Sequence, residues 1–474
     1  MRTELRPVVA LLALIGSGGA EAAAADLASG PAEEEPAVPA APQYGSIADL
    51  WTQPRLFEFD ARRRWEALGI AFTGGNTNEY LVNLSGGRSR VFDGAGQNAL
   101  GVTLDLQKLT GWTGATFVAT YSQRYGVNQA AEAGIPAAQL TNEIYGRGQV
   151  VRLTDLHLEQ SLFNNVVDIK VGRMPVGSDF EFQRCDFINL TLCGGQVGNI
   201  VGDFVYNWPV SQWAGVVKLN FLHEWAVRVG VYDRNPLYLD NNVTYAALPS
   251  WPAHSIGALI PVELNWTPQF GALPAGDWRI GYMYSTERAP TALVNVVGAP
   301  PSLAGAIDDL SYRGRRVFYF SLTQPLTGDR NGPNPKAGLF VFANGSFADQ
   351  HTNYQTRQIN FGLVQHGIGA WRPQDEIGLG AGATTMNSAV ANLQGLVNGY
   401  NILQGQFGAG AYPAHTEYIV EAYYGIQATG WLNVKLDAQW VHDPGGFTAP
   451  ANNPIDGQSN KDAFLLGFRT TVNF

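Results

Sequence analysis

The chain has 474 residues, and only 15% of them are Asp, Glu, Lys or Arg, against roughly 25% in an ordinary soluble domain. Aromatics reach 11% and glycines number 55, yet mean hydropathy is only -0.08, which excludes a bundle of transmembrane helices. The net charge of -10 and a pI near 5.2 argue against nucleic acid as a partner, because a phosphate backbone calls for a basic face.

Residues 1–25, MRTELRPVVALLALIGSGGAEAAAA, place Arg2 and Arg6 ahead of an apolar stretch from Val8 to Ile15 and then small residues. That is the pattern of a secretory signal peptide, with cleavage expected near Ala22 or Ala25. Residues 26–70 form the expected periplasmic lead. They are rich in Ala, Pro and Glu as far as residue 54, a disordered composition. FEFDARRRWEALGI (57–70) then reads as a short amphipathic helix with Phe57, Ala61, Trp65 and Leu68 on one side. No later run of 18 apolar residues follows, so an exported chain of this kind enters a membrane as strands or not at all.

From residue 71 to 474 the pattern is strands and turns. In LGVTLDLQKL, Leu100, Val102 and Leu104 alternate with Thr103 and Asp105. VVDIKVG sets Val167, Ile169 and Val171 against Asp168 and Lys170, and RQINFGLVQ sets Ile359, Phe361 and Leu363 against Gln358 and Asn360. The clearest hairpin is TEYIVEAYYGIQATGWLNVKLDAQW. Tyr418, Val420, Ala422 and Tyr424 oppose Glu417 and Glu421, and Leu432 through Trp440 oppose Lys435 and Asp437. The closing AFLLGFRTTVNF aligns Phe464, Leu466, Phe468 and Val472 against Arg469. Successive strand side chains point to opposite faces, so each segment has one apolar and one polar face.

A soluble sandwich alternates in the same way but buries its apolar face; a membrane barrel turns that face to lipid and lines a wet lumen with the other. Strands of about ten residues, aromatics at strand ends and a chain that stops inside its last strand favour the second. The expected fold is therefore all-β, an antiparallel transmembrane β-barrel.

Cys185 and Cys193 sit in CDFINLTLC. In an oxidising compartment such a pair closes a small loop, so a disulfide is expected, with free buried thiols as the alternative. Catalytic signatures are missing. The histidines at 157, 223, 254, 351, 366, 415 and 442 are scattered, and no G-x-S-x-G elbow lies in the mature chain. GLGAGA (378–383) mimics a dinucleotide fingerprint but has no βαβ context, and reads as a small-residue barrel strand. The reading is of a protein that is not an enzyme and needs no cofactor or metal.

The long stretch NEIYGRGQVVRLTDLHLEQSLFNNVVDIKVGRMPVGSDFEFQRCDFINLTLCGGQVGNIVGDFVYNWPVSQWAGVVKLNF closely resembles the carbohydrate-selective, OprB-type porins of Gram-negative outer membranes. NLSGG, LGVTLDLQKLTGW, LIPVELNW and the closing DAQWVHDPGG…LGFRTTVNF extend the likeness over nearly all of the mature chain. It departs at the start, where the family's GDWGG-like segment reads ADLWTQP. The resemblance implies a monomeric barrel of 16 strands in the outer membrane with both termini in the periplasm. It also implies passive, selective diffusion of carbohydrates, monosaccharides such as glucose. The alternatives are another small solute in the same scaffold or a general diffusion pore. Lipopolysaccharide and bilayer lipid are the implied surroundings, and the outer-membrane assembly machinery the implied reader of a last strand ending in Phe474.

A sugar presents flat C–H faces to an aromatic ring, hydroxyls to carboxylates, and acceptors to the fork of an arginine. The resemblance points to Arg124 in YSQRYG, Glu143 in TNEIYGRG and Trp208 in YNWPV, with Arg147 and Asn207 as further substrate-binding candidates from the same motifs. Periodicity independently puts Arg124 on the lumen row with Thr116, Thr120 and Ser122, opposite Phe117, Ala119 and Tyr121. Alternation also sends Asp105, Asp168, Lys170, Glu421, Lys435, Asp437 and Arg469 inward, mostly to form salt bridges across the wall, with Arg469 solvated by pore water.

Overall fold

The structure is a computed structural model that describes residues 51, 53–181, 183–296, 299–332, 334, 337–404, 415–446 and 461–474. The expected signal peptide and almost all of the Ala/Pro/Glu lead lie outside the described residues. A short helix, α1 (Asp60–Ala67), precedes the strands within the stretch expected to be helical. Its buried Arg62 donates to the carbonyls of Phe57 (3.0 Å) and Phe72 (2.5 Å), which fastens the helix to the first strand.

The strands are β1 (Ile70–Ser85), β2 (Phe92–Asp105), β3 (Ala115–Gly126), β4 (Val151–Leu162), β5 (Val167–Met174), β6 (Gln212–Phe221), β7 (Trp225–Arg234), β8 (Gly257–Trp266), β9 (Asp277–Pro290), β10 (Ser311–Pro325), β11 (Gly338–Ala348), β12 (Gln355–Ile368), β13 (Arg372–Met386), β14 (Thr416–Gln427), β15 (Leu432–His442) and β16 (Ala463–Asn473). Each pairs antiparallel with its chain neighbour, and β1 pairs with β16 from Gly75↔Asn473 to Ser85↔Phe464, closing a barrel of 16 strands. Closure leaves no edge with unpaired backbone groups, the condition for a sheet in hydrocarbon.

The burial pattern decides between barrel and sandwich. On β12, Ile359, Phe361 and Leu363 are 38%, 60% and 42% exposed, while Gln358 and Asn360 are fully buried. The apolar row lies outside and the polar row inside, the reverse of a soluble sandwich. Aromatic rings ring both ends. Trp225 stacks on Trp266 (5.3 Å between centroids) and Trp65 meets Phe72 (5.5 Å) at the end that carries the termini; Trp213 stacks on Trp251 (5.3 Å) at the other.

Connections at the terminal end include several tight ones, as at 163–166, 222–224 and 369–371, whereas 127–150, 175–211 and 235–256 are long and lie at the opposite end. Segments 127–150 and 175–211 fold back into the lumen. One flank of 175–211 buries Phe180, Val201 and Phe204 against Tyr232, Leu259, Met283 and Tyr319 of the barrel wall. The other flank buries Phe187 and Leu192 against Phe342, Val364 and Tyr423.

Small residues on β13 make room for that second flank. A Cβ at Gly380 would meet Leu192 at 3.0 Å and Phe187 at 3.1 Å, and one at Gly382 would meet Thr191 at 2.6 Å. GLGAGA is thus a docking track for the inserted segment. Polar wall residues complete the seating. Glu421 accepts the amides of Ile188 (2.5 Å) and Asn189 (2.9 Å), and Glu417 those of Ala138 (2.6 Å) and Gly445 (2.7 Å). Arg152 donates to the carbonyls of Tyr238 (3.1 Å) and Leu239 (3.2 Å).

Gly382→Val should push the 187–192 stretch off the wall toward the channel. The expected cost is about 1–3 kcal/mol of overpacking. Single-channel conductance in planar bilayers is expected to fall, and a variant with wild-type conductance and thermal midpoint would contradict this seating.

The channel constriction as candidate functional site

A cavity of about 670 Å³ remains between the two inserted segments and the wall formed by β1, β2, β3 and β16. That is within the roughly 300–1,000 Å³ of small-molecule sites. Arg124, Glu143, Arg147, Asn207 and Trp208 all line it, brought together from β3 and from both inserted segments.

One wall residue ties two of them in place. The side-chain oxygen of Gln97 on β2 accepts from Arg124 Nε (2.9 Å) and from Trp208 Nε1 (2.9 Å). A further Arg124 nitrogen donates to the Tyr145 carbonyl (3.3 Å). The Trp208 side chain is 38% exposed, with its indole N–H already satisfied. Glu143 is held through its backbone N–H on the Ile188 carbonyl (2.9 Å), and its carboxylate faces Arg469 at 3.1 Å.

Arg147 sits at φ +63°, donates to the Gly202 carbonyl (2.9 Å), and offers its own carbonyl to Arg152 Nε (2.8 Å). Desolvation pulls its pKa below the usual guanidinium value. Asn207 is committed within its segment. Its oxygen accepts the Gly177 amide (3.1 Å), and its nitrogen donates to Glu181 (2.7 Å) and to the Gly195 carbonyl (3.1 Å). It organises the loop more than it faces a solute. Glu181 also accepts the Val197 amide (2.7 Å), yet burial pushes its carboxyl up to about 8.

Arg469 corrects one expectation. It does face inward, but pore water does not solvate it. It is buried, with Nε on Glu79 at 2.8 Å, and it also bonds Glu143 and the carbonyls of Phe187 (2.8 Å) and Cys185 (3.3 Å). Burial of a charge on this scale requires such pairing. Cys185 and Cys193 are joined, with Cα atoms 4.2 Å apart, and the bridge closes the turn that seats Phe187 and Leu192 on the wall and sets Leu190 along the cavity.

Sequence reading did not nominate Gln97, Thr77 or Glu181, which also line the cavity. Gln97 was within reach, since it shares the parity of Thr103 and Asp105 on the same strand; Glu181 lies in an irregular segment and carries no such signal. A group at Asp186, His366 and Glu376 has the spacing of metal ligands. Arg184 against His366 (2.8 Å) and Lys435 against Glu376 (2.8 Å) already supply the positive charge there, so it fits an ion-pair network.

A closed barrel, apolar outside and polar within, with a narrowed aqueous passage, is an outer-membrane channel. Residues 90–474 match the carbohydrate-selective porin, OprB family, and the chain belongs to that family. It is similar to Porin B of Pseudomonas aeruginosa, at 39% identity over 388 residues, 80% of this chain and 84% of the relative. In structure it is similar to OprB of Pseudomonas putida at high pH, with 33% identity, a TM-score of 0.78, and coverage of 87% of this chain and 96% of that one. Against the low-pH structure of the same protein the TM-score is 0.52 at 24% identity, over 87% and 95% of the two chains, a likeness of fold alone.

Removing one of the two carboxylates on Arg469 with Glu79→Leu should cost up to roughly 3–5 kcal/mol, because only Glu143 then offsets the buried cation. Adding Arg469→Met should recover most of that loss, read from the temperature at which the folded band disappears in heat-modifiability gels. The raised carboxyl of Glu181 has a defined pH sign. The folded chain holds that proton more tightly than the unfolded one, so its contribution is full below pH 4.5 and lost as pH rises toward about 8. The thermal midpoint in detergent should fall over that window, and Glu181→Gln should make the fall smaller.

Proposed function

We propose that this porin admits monosaccharides, glucose above all, by passive diffusion with transient binding at the constriction. The observation that carries the reading is the arrangement around Gln97: an indole, a guanidinium and the carboxylate of Glu143 line one cavity, two of them fixed by a single acceptor. The Trp208 ring would cover an apolar sugar face, Arg124 and Arg147 would donate to ring and hydroxyl oxygens, and Glu143 would accept from hydroxyls. Asn207 acts by holding the loop that carries Trp208. Binding stays weak, because a pore that holds its solute tightly does not conduct.

The short-turn end carries both termini and belongs in the periplasm, as short turns do in bacterial barrels, with the long connections outside among lipopolysaccharide. Residues 1–25 serve as the export signal, residues 26–70 as the periplasmic lead, and the aromatic last strand as the mark read by the assembly machinery. The oxidising periplasm supplies the Cys185–Cys193 bridge. One chain supplies every residue of the cavity, so a monomer suffices.

In liposome swelling, glucose should enter faster than an amino acid of similar size. Equal rates for all small solutes would leave only a general diffusion pore. Arg124→Ala should raise the glucose concentration that half-blocks ion current by roughly tenfold, about 1.4 kcal/mol, with folding unchanged. An unaltered block would remove Arg124 from the site.

A further inference from the structure

Most arginines elsewhere in the lumen have a carboxylate at close range, and two fully buried ones that do not, Arg152 and Arg173, are spent on carbonyls of the 235–256 connection and do not line the cavity. Arg228 pairs with Glu263 (2.8 Å), Arg234 with Glu287 (2.9 Å), Arg279 with Asp277 (2.8 Å), and Arg469 with Glu79 and Glu143. Arg124 and Arg147 differ. Both line the constriction, and among the described residues neither has a carboxylate within 4.0 Å. Arg124 bonds Gln97 and the carbonyl of Tyr145, two residues before Arg147, and Arg147 bonds the Gly202 carbonyl. Both therefore meet only neutral acceptors.

The nearby acids are engaged elsewhere. Glu143 faces Arg469 at 3.1 Å, Glu181 accepts the Val197 amide and the Asn207 side chain, and Asp203 pairs with Arg315. Glu143 still lies along the same cavity, so its charge offsets part of the field of the two guanidiniums. What remains suits one negative charge better than two. A site for a neutral solute alone has no need of an uncompensated, partly desolvated cation, which is costly to keep.

We propose that the constriction also takes small polyhydroxy monocarboxylates, such as aldonates, seating the carboxylate on Arg147 beside Arg124. The proposal rests on the sugar-channel reading of the same cavity. The hydroxylated body of the solute would use the Trp208 and Glu143 side of the cavity as a neutral sugar would. The carboxylate would add a charge-assisted pair to a guanidinium, about twice as strong as a neutral hydrogen bond. Partial compensation by Glu143 keeps that pair weak enough to release its solute.

The test titrates gluconate and glucose against ion current through the full chain in planar bilayers at fixed ionic strength. Gluconate should half-block at roughly one third of the glucose concentration or less. Arg147→Gln, which keeps a donor for Gly202, should raise the gluconate value by about fivefold or more, and by at least about threefold more than it raises the glucose value. Arg147→Lys should retain most of the gluconate block.

Glucose block without gluconate block in the wild type would overturn this proposal and leave the sugar reading intact. Absence of both would overturn the reading of the constriction itself. Equal effects of Arg147→Gln on both solutes would also overturn the carboxylate role. Should that variant fail to show the heat-modifiable folded band, the wild-type reversal potential in a KCl gradient decides. A chloride preference is expected, and a potassium preference would refute an uncompensated cation lining the cavity.

Discussion

The lumen is narrowed by backbone, and backbone inside a barrel must find partners for its amides and carbonyls. An unmet buried donor or acceptor costs about 1–3 kcal/mol, so segments such as 127–150 and 175–211 are tenable only if the wall answers them. The wall does so by polarity. Carboxylates on β8 and β14 take loop N–H groups, with Glu263 on the Glu181 amide (2.8 Å) and Glu421 on those of Ile188 and Asn189. Guanidiniums on β4, β5 and β10 take loop carbonyls, as Arg152 does at Tyr238, Arg173 at Leu248 (2.5 Å) and Arg315 at Thr352 (3.2 Å).

This division changes what the charges inside the barrel mean. Charges on a channel wall are naturally read as selectivity elements facing water. Most here are consumed in seating the loops or in pairing with one another, as Lys170 does with Asp179 (2.9 Å) and Lys435 with Glu376. Selectivity then falls to the few groups left facing the cavity, and these come from the loops as much as from the wall. The apolar flanks of 175–211 pack against the wall on both sides, and the hydrogen bonds fix the register.

Much of this was legible in the sequence, and the reason is periodicity. Alternation in stretches such as RQINFGLVQ and TEYIVEAYYG reports the two faces of a strand directly, and closure follows once lipid is the outer medium. The same rule supports Arg124, to which the family resemblance points, and Gln97 obeys it too. What periodicity could not convey is the company a lumen residue keeps. Arg469 has the right parity, but its partners come from Glu79 on the neighbouring strand and from residues 143, 185 and 187 in loops with no repeat to read. Glu181 and the commitment of Asn207 belong to the same blind spot. They depend on how an irregular segment folds against itself.

The track of small residues on β13 connects these levels. Between Glu376 and Thr384, β13 reads apolar on its lipid face and offers only glycines to the lumen, which looks like a gap in the lining. It is instead the surface on which Phe187, Thr191 and Leu192 land. That landing sets where Ile188 presents its carbonyl to the Glu143 amide and its own amide to Glu421, and hence where the Glu143 carboxylate enters the cavity. The position of Glu143 in the passage is therefore set in part from the far wall. Bulk on β13 is a second route, beside changes in the groups that face the solute, by which sequence could retune this channel.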